Sequence, residues 1–272
     1  MSSSERSPES ELRAGLERIA AAEELLVACD FDGTLAPIVE NPADARALPE
    51  AIDALAELAA LPRTHSALVS GRSREDLASL VGSPERVRLV GSHGGELEAG
   101  SLAERLSPEQ RGRLEALQRE LAAIATAAPG LIAETKPAGV ALHYRMADPH
   151  DAQRAVAAVL AGPAALPDVH LRHGKKVIEL SVVPDDKGRA VELLREATRA
   201  SAVLYLGDDV TDEDVFRTLG HDDLGVKVGE GSTTAPVRVA GPHEAARVLV
   251  DLARERARAQ RHAATAPPPA RE

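Results

Sequence analysis

The chain has 272 residues and 44% apolar content, enough for one large domain or for a core carrying a smaller insert. Its formal net charge of −11 argues against nonspecific nucleic-acid binding, which needs a basic face, and an anionic ligand would require locally concentrated cations or a metal ion. A single cysteine, Cys29, excludes an intramolecular disulfide and fits a cytoplasmic setting, and no run of about 18 apolar residues indicates a membrane span.

In chain order, the opening "MSSSERSPESELR" is polar and lacks the apolar stretch of a secretory signal, so none is expected and residues 1–10 read as mobile. Residues 11–23 read as a helix, and "LLVAC" (Leu25–Cys29) as a buried parallel strand. "PEAIDALAELAALP" is a helix bracketed by Pro49 and Pro62. "HSALVSGR" is a second strand ending in Ser70-Gly71-Arg72, "SREDLASLVG" a helix closed by Gly82, and "VRLVGSHGGELE" a third strand with a glycine-rich end. Strands alternating with helices at this spacing predict parallel βα units.

Near residue 107 the rhythm changes. "SPEQ" offers Ser107 as an N-cap, Pro108 at the first helical position and Gln110 to complete a capping box, with a helix to about Ala127. Two strand-like runs follow, "LIAETK" and "VALHYR", then a helix "DAQRAVAAVLA", then two more runs, "VHLRH" and "KVIELSV". Helix-strand-strand twice over suits helices on a small antiparallel sheet. After Pro184 the first rhythm resumes: helix "KGRAVELLREA", strand "AVLYLGDD", helix "TDEDVFRTL", strand "GVKVG", and a last helix from Pro242. The expected organisation is α/β: a Rossmann-like parallel-sheet core (23–106 and 184–253) with an inserted smaller α+β domain (107–183). A partly helical segment (1–22) precedes the core, and a helix end with a disordered tail (254–272) follows it.

The chemistry-bearing stretches sit at strand ends, where open α/β sheets bind ligands. In "DFDGT", Asp30 and Asp32 follow an apolar strand, and on a continuing strand both side chains would share a face. Asp-Gly is also a common turn signal. "YLGDDVTDED" repeats the arrangement with Asp208, Asp209 and Asp212; helix capping accounts for Thr211 and Asp214 but not for the acids at the strand end. Together Asp30, Asp32, Asp208, Asp209 and Asp212 form an oxygen cage suited to one Mg²⁺ completed by phosphate. Ser70, Gly71 and Arg72 would supply donors to that phosphate, and Lys187, at the start of a helix, either reaches the site to hold Asp30 and the phosphate by charge or is merely solvated.

The ordered set "DFDGTL", "SGR", "DKG" and "GDDVTDED" resembles the four motifs of the haloacid dehalogenase superfamily of phosphatases. The resemblance implies that Asp30 is the nucleophile forming an aspartyl-phosphate and that Asp32 is the acid and then the base. It implies that Thr34 and Ser70 hydrogen-bond the phosphoryl group, that Lys187 orients Asp30, and that Asp208 ligates Mg²⁺ supported by Asp209 and Asp212. Asp185 and Asp186 read as caps of the helix begun by Lys187.

In the insert, Glu134 and Lys136 alternate onto one face, as do His143 and Arg145, and "GKKVIEL" adds Lys175, Lys176 and Glu179. Such mixed charges suit sugar hydroxyls, or equally a solvated sheet with cross-strand ion pairs. "GSHGGE", "ETKPAGVALHYR" and "GKKVIEL" with the acidic motif resemble the trehalose-6-phosphate phosphatases, a family of capped sugar phosphatases. That resemblance implies a cap domain and a sugar-phosphate substrate met by Glu134, Lys136, Arg145, Lys176 and Glu179, with His93 and Gly94 near the sugar. It leaves as alternatives a sucrose-phosphate or mannosyl-phosphoglycerate phosphatase and a non-catalytic sugar-phosphate-binding regulator. A phospho-accepting signalling domain fits less well, having no use for the insert or the second aspartate. A monomer with no nucleic-acid or membrane partner is expected.

Overall fold

The computed structural model describes residues 8–82, 84–97, 106–174, 176–183 and 187–265. Its elements begin α1 (Pro8–Ala20), β1 (Leu25–Cys29), α2 (Pro49–Ala60), β2 (Thr64–Val69), α3 (Arg74–Val81) and β3 (Val87–Val90). They continue α4 (Pro108–Ala125), β4 (Ile132–Lys136), β5 (Gly139–His143), α5 (Pro149–Ala161), β6 (His170–Gly174) and β7 (Val177–Ser181). They close with α6 (Lys187–Thr198), β8 (Ala202–Gly207), α7 (Asp212–Thr218), β9 (Leu224–Val228), β10 (Val237–Val239) and α8 (Pro242–Thr265). Two compact units result, Met1–Gly94 with Lys187–Glu272, and Gly95–Asp186. No helix among the described residues is long and apolar enough to cross a membrane.

The first unit is built on a six-stranded sheet in the order β10-β9-β8-β1-β2-β3, every pair parallel. The chain leaves β1 toward β2 and β3, then returns at β8 and runs the other way, which makes the β1–β8 edge a switch point where ligands bind in such sheets. Leu25, Val27 and Cys29 join a core with Ile19, Leu55, Leu58, Leu249 and Leu252 from α1, α2 and α8. Leu26 and Ala28 are equally buried on the other side of the sheet, which is why β1 reads as an unbroken apolar run with no alternation.

The second unit is a four-stranded antiparallel sheet, β4-β5-β7-β6, with α4 and α5 contributing to one core. Val140, Leu142, Ile178 and Leu180 pack with Leu117, Leu121 and Val159. The capping box of α4 forms as expected: Gln110 N donates to Ser107 Oγ at 3.2 Å, and Ser107 N donates to Gln110 Oε1 at 2.9 Å. Gly82 closes α3 in the left-handed region at φ 70°.

Four local expectations change. The first helix starts at Pro8 and stops at Ala20, and the buried Arg256 guanidinium donates to the carbonyls of Ala20 and Ala22 at and beyond its end. The strand after the Pro-Ala-Gly turn ends at His143, so Arg145 lies in the following turn and shares no strand face with it. Thr211 precedes α7 in a helical conformation and its hydroxyl makes no cap. A tenth strand, β10, was hidden by its length: three residues cannot show a period. Residues 1–7, Lys175, Asp185, Asp186 and 266–272 lie outside the described residues, and with them the expected caps and most of the expected tail.

Candidate active site

Register sets the site. Cys29 pairs with Leu68 of β2 on one side and with Leu206 of β8 on the other, so the three strands finish level and Asp30, Ser70 and Asp208 emerge at one edge. Asp30 N still donates to Leu206 O at 2.9 Å, after which the chain turns, Gly33 N closing on Ala36 O at 2.7 Å. Gly33 has φ +82°, and a Cβ there would lie 2.2 Å from Asp208 Oδ2. Glycine is therefore required both by the turn and by the approach of the Asp208 carboxylate.

Lys187 is the hub. Only 1% of its side chain is exposed, and its Nζ lies 2.9 Å from Asp30 Oδ1 and 2.8 Å from Asp212 Oδ1. Asp212 Oδ1 also accepts the Tyr205 hydroxyl at 2.7 Å, and its Oδ2 accepts the Asp209 backbone N–H at 2.8 Å. Thr34, fully buried, donates to Asp208 Oδ1 at 3.4 Å. Ligand oxygens of Asp30, Asp208 and Asp212 all lie within 4.8 Å of one another.

Three carboxylates against one lysine leave a surplus of negative charge. Burial pushes Asp30 well above the usual carboxylate range, with Asp212 and Asp208 pushing the same way and Lys187 opposing. Asp212 goes the other way: burial would raise it, but Lys187 and the hydrogen bonds from Asp209 and Tyr205 outweigh that and hold it low. Burial would lower Lys187, yet Asp212 and Asp30 hold it above its ordinary value, so it stays charged. Tyr205 is raised by burial and by the same two acids, which keeps it a hydrogen-bond donor. A convergent, oxygen-only, anion-rich donor set of this kind fits a hard divalent cation.

Three of the five expected ligands, Asp30, Asp208 and Asp212, stand in this cluster. The carboxylates of Asp32 and Asp209 do not belong to the cluster among the described residues. Because β1 stops at Cys29, Asp30 and Asp32 do not share a strand face. Asp32 instead meets Arg72 in a two-pronged pair, Nε to Oδ2 at 2.6 Å and a second guanidinium nitrogen to Oδ1 at 2.7 Å. The same guanidinium donates to Pro42 O at 2.8 Å and sits 5.6 Å from the Phe31 ring centroid. Arg72, expected to meet phosphate, is here a partner of Asp32.

Ser70 is buried, and its Oγ accepts the Arg72 N–H at 3.2 Å. Gly71 leaves room for His93, whose Nε2 would be 2.4 Å from a Cβ at that position. His93 and Gly94 close a short 3-10 turn, with His93 N donating to Ser70 O at 2.9 Å. These residues form one packed loop pair at the sheet edge.

In the second unit, Glu134, Ala141, Glu179 and Arg172 stand in one register row across the four strands, on the side opposite the apolar core. Lys136 Nζ reaches Glu179 Oε1 at 2.5 Å, and His143 Nε2 meets Glu134 Oε2 at 2.6 Å. The hydrogen bond from His143 holds Glu134 below its ordinary range. Lys176 takes a left-handed conformation, φ 68°, beside the β7 start, and Arg145 is exposed in its turn.

Two buried polar residues at the core site escape motif reading. Tyr205 looks like an ordinary core aromatic within an apolar strand. Lys227 was visible as the one charged residue in "GVKVG", a costly place for a cation without a partner.

A trehalose-phosphatase family model matches residues 28–243. A bifunctional trehalose-6-phosphate synthase/phosphatase of Thermoproteus tenax is 35% identical over 243 residues, covering 86% of this chain and 32% of that protein. A trehalose-phosphate phosphatase of Mycobacterium tuberculosis is 33% identical over 255 residues, covering 89% of this chain and 64% of that protein. This chain spans less than two thirds of the length of either relative. The C-terminal domain of the Candida albicans trehalose-6-phosphate phosphatase superposes with a TM-score of 0.74 at 25% identity, covering 89% of this chain and 96% of that one. With the family model spanning the acidic strand ends, the Ser70 loop and Lys187 alike, the chain belongs to the trehalose-phosphatase family.

Proposed function

We propose that the protein is a Mg²⁺-dependent phosphatase that hydrolyses trehalose 6-phosphate to trehalose and phosphate. The observation that carries this reading is the convergence of Asp30, Asp208 and Asp212 within 4.8 Å at the switch point, with Lys187 between two of them. Family membership supports the substrate.

Asp30, Asp208 and Asp212 would hold the cation, which when bound supplies charge to offset the phosphate and the clustered carboxylates. Lys187 holds one Asp30 oxygen and thereby orients the other toward phosphorus. An Asp30 oxygen bonds to phosphorus as the bond from phosphorus to the sugar oxygen breaks. Asp32 gives that oxygen its proton, then takes a proton from the water that attacks the aspartyl-phosphate, releasing phosphate and restoring Asp30. Asp32 can serve only after leaving the Arg72 fork, because both of its oxygens are engaged there as acceptors of guanidinium hydrogen bonds. Thr34 and Ser70 would donate to phosphoryl oxygens. The polar row of the second unit, with Glu134, Lys136 and Glu179, offers the donors and acceptors a disaccharide requires, and Arg145, Lys176, His93 and Gly94 are proposed to add to it.

Phosphate release from a panel of sugar phosphates, with and without Mg²⁺, tests the reading. Trehalose 6-phosphate should show the highest kcat/KM, and only with the cation. Equal or better turnover of sucrose phosphate or mannosyl-phosphoglycerate would move the assignment to those substrates, and no turnover of any would leave a binding protein.

A further inference from the structure

Behind the acidic cluster lies a second buried cation that the mechanism above does not use. Lys227 stands in β9, every residue of which is buried, and 4% of its side chain is exposed. It pairs in register with Gly207, the last residue of β8. From there its Nζ donates to the backbone carbonyl of Asp208 at 2.6 Å. Its countercharge is Glu213, in the first turn of α7: Oε1 lies 3.9 Å from Nζ, and Oε2 accepts both the N–H and the hydroxyl of Thr234, at 2.8 and 3.0 Å. The pair therefore adds no net charge to the site, and electrostatic balancing does not explain it.

Geometry does. The carbonyl of Asp208 and the N–H of Asp209 belong to one peptide group, and that group is planar. Lys227 grips the carbonyl, and Asp212 Oδ2 accepts the N–H at 2.8 Å. The plate is held at both ends, so it cannot rotate without breaking one charge-assisted hydrogen bond. Its orientation holds the backbone from which the Asp208 side chain projects, whose carboxylate also accepts from Thr34, and its N–H holds one oxygen of Asp212.

We propose that Lys227 is a positioning residue for divalent-cation binding: by clamping the 208–209 peptide it holds Asp208 and Asp212 at the spacing that lets them share one ion. The proposal rests on the cation-dependent reading above, and it assigns no contact between Lys227 and substrate or ion.

The test is Mg²⁺ binding by titration calorimetry to the whole protein without substrate, for wild type and Lys227→Met. Alongside it run the Mg²⁺ activation constant and the KM for trehalose 6-phosphate at saturating Mg²⁺. Lys227→Met should weaken Mg²⁺ binding and raise the activation constant by about tenfold or more, as lost supporting contacts at metal sites do. KM at saturating Mg²⁺ should stay within about twofold, since uniform substrate binding is untouched. A folded variant with wild-type Mg²⁺ affinity overturns the proposal, whatever its melting temperature, because a merely structural lysine would alter stability alone. Should Lys227→Met fail to fold, Lys227→Met combined with Glu213→Gln, which removes the donor without leaving its countercharge buried and unpaired, carries the same comparison, and wild-type Mg²⁺ affinity in it overturns the proposal equally. A wild-type protein that binds no Mg²⁺ overturns instead the cation-dependent reading beneath it.

Discussion

At a pH high enough to ionise Asp30, which burial and its acidic neighbours hold well above the usual carboxylate range, replacing it with Asn removes a charge from a buried site while keeping shape and one acceptor. In the cation-free protein that charge faces two like charges, Asp208 and Asp212, with ligand oxygens no more than 4.8 Å away. At an effective dielectric constant of about 20, each such pair repels by roughly 3.5 kcal/mol or more. The single attraction to Lys187 at 2.9 Å is worth roughly 5.7 kcal/mol on the same scale. The repulsions outweigh the attraction, and the desolvation of a carboxylate that is 5% exposed adds to the same side. Asp30→Asn should therefore stabilise the cation-free protein by about 1–3 kcal/mol, a rise in Tm of roughly 2–10 °C for a chain of this size. With Mg²⁺ the order should reverse, because the wild type gains a ligand the variant lacks. Turnover should fall by at least about 10³-fold, as expected for a lost nucleophile. Calorimetric melting of both proteins, in chelator and in Mg²⁺, reads the stability arm, and phosphate release reads the other. A variant that melts below wild type in chelator, or that keeps more than about a tenth of the activity, refutes the reasoning.

Three further outcomes are expected. Glu179→Ala, which also releases Lys136, should cut kcat/KM for trehalose 6-phosphate at least about tenfold more than for an aryl phosphate; equal losses would take Glu179 out of sugar recognition. Arg256→Leu removes the donor for Thr64 Oγ1 and for the carbonyls of Ala20, Ala22, Glu23 and Arg63. It should cost about 2–4 kcal/mol in urea unfolding, and a change below about 0.5 kcal/mol would show that water replaces the guanidinium. Glu134 should titrate below the ~4.3 of a free glutamate by carboxyl NMR and move upward in His143→Ala. A lowered folded pKa means that its contribution to stability is present above the unfolded value and lost as pH falls through the folded one. An unmoved titration would show that the pair does not form.

The two aspartate motifs, the parallel strands feeding them and the antiparallel insert were legible because each is a local pattern. "LLVAC" reads as β1 to the residue because a strand buried on both faces must be apolar throughout. Ser107 and Gln110 declare their capping box because both partners lie within one turn. The acids at 30 and 208 announce themselves by sitting where apolar runs end. What each carboxylate does is not a local property. Asp32 and Asp209 stand in the same motifs as Asp30 and Asp208, and only the fold separates them. The chain leaves β1 at Cys29, so Asp32 swings to Arg72, while Asp209 contributes its backbone N–H to Asp212. Tyr205 and Lys227 enter the site from strands that pattern alone assigns to the core, because parallel register, a long-range pairing, decides what stands beside Asp208 and Asp212. Sequence thus determined which residue types meet water, which are buried and which acids are available. Tertiary structure decided their partners, since distances of 2.6–2.9 Å between residues far apart in the chain depend on how strands align and not on what precedes them.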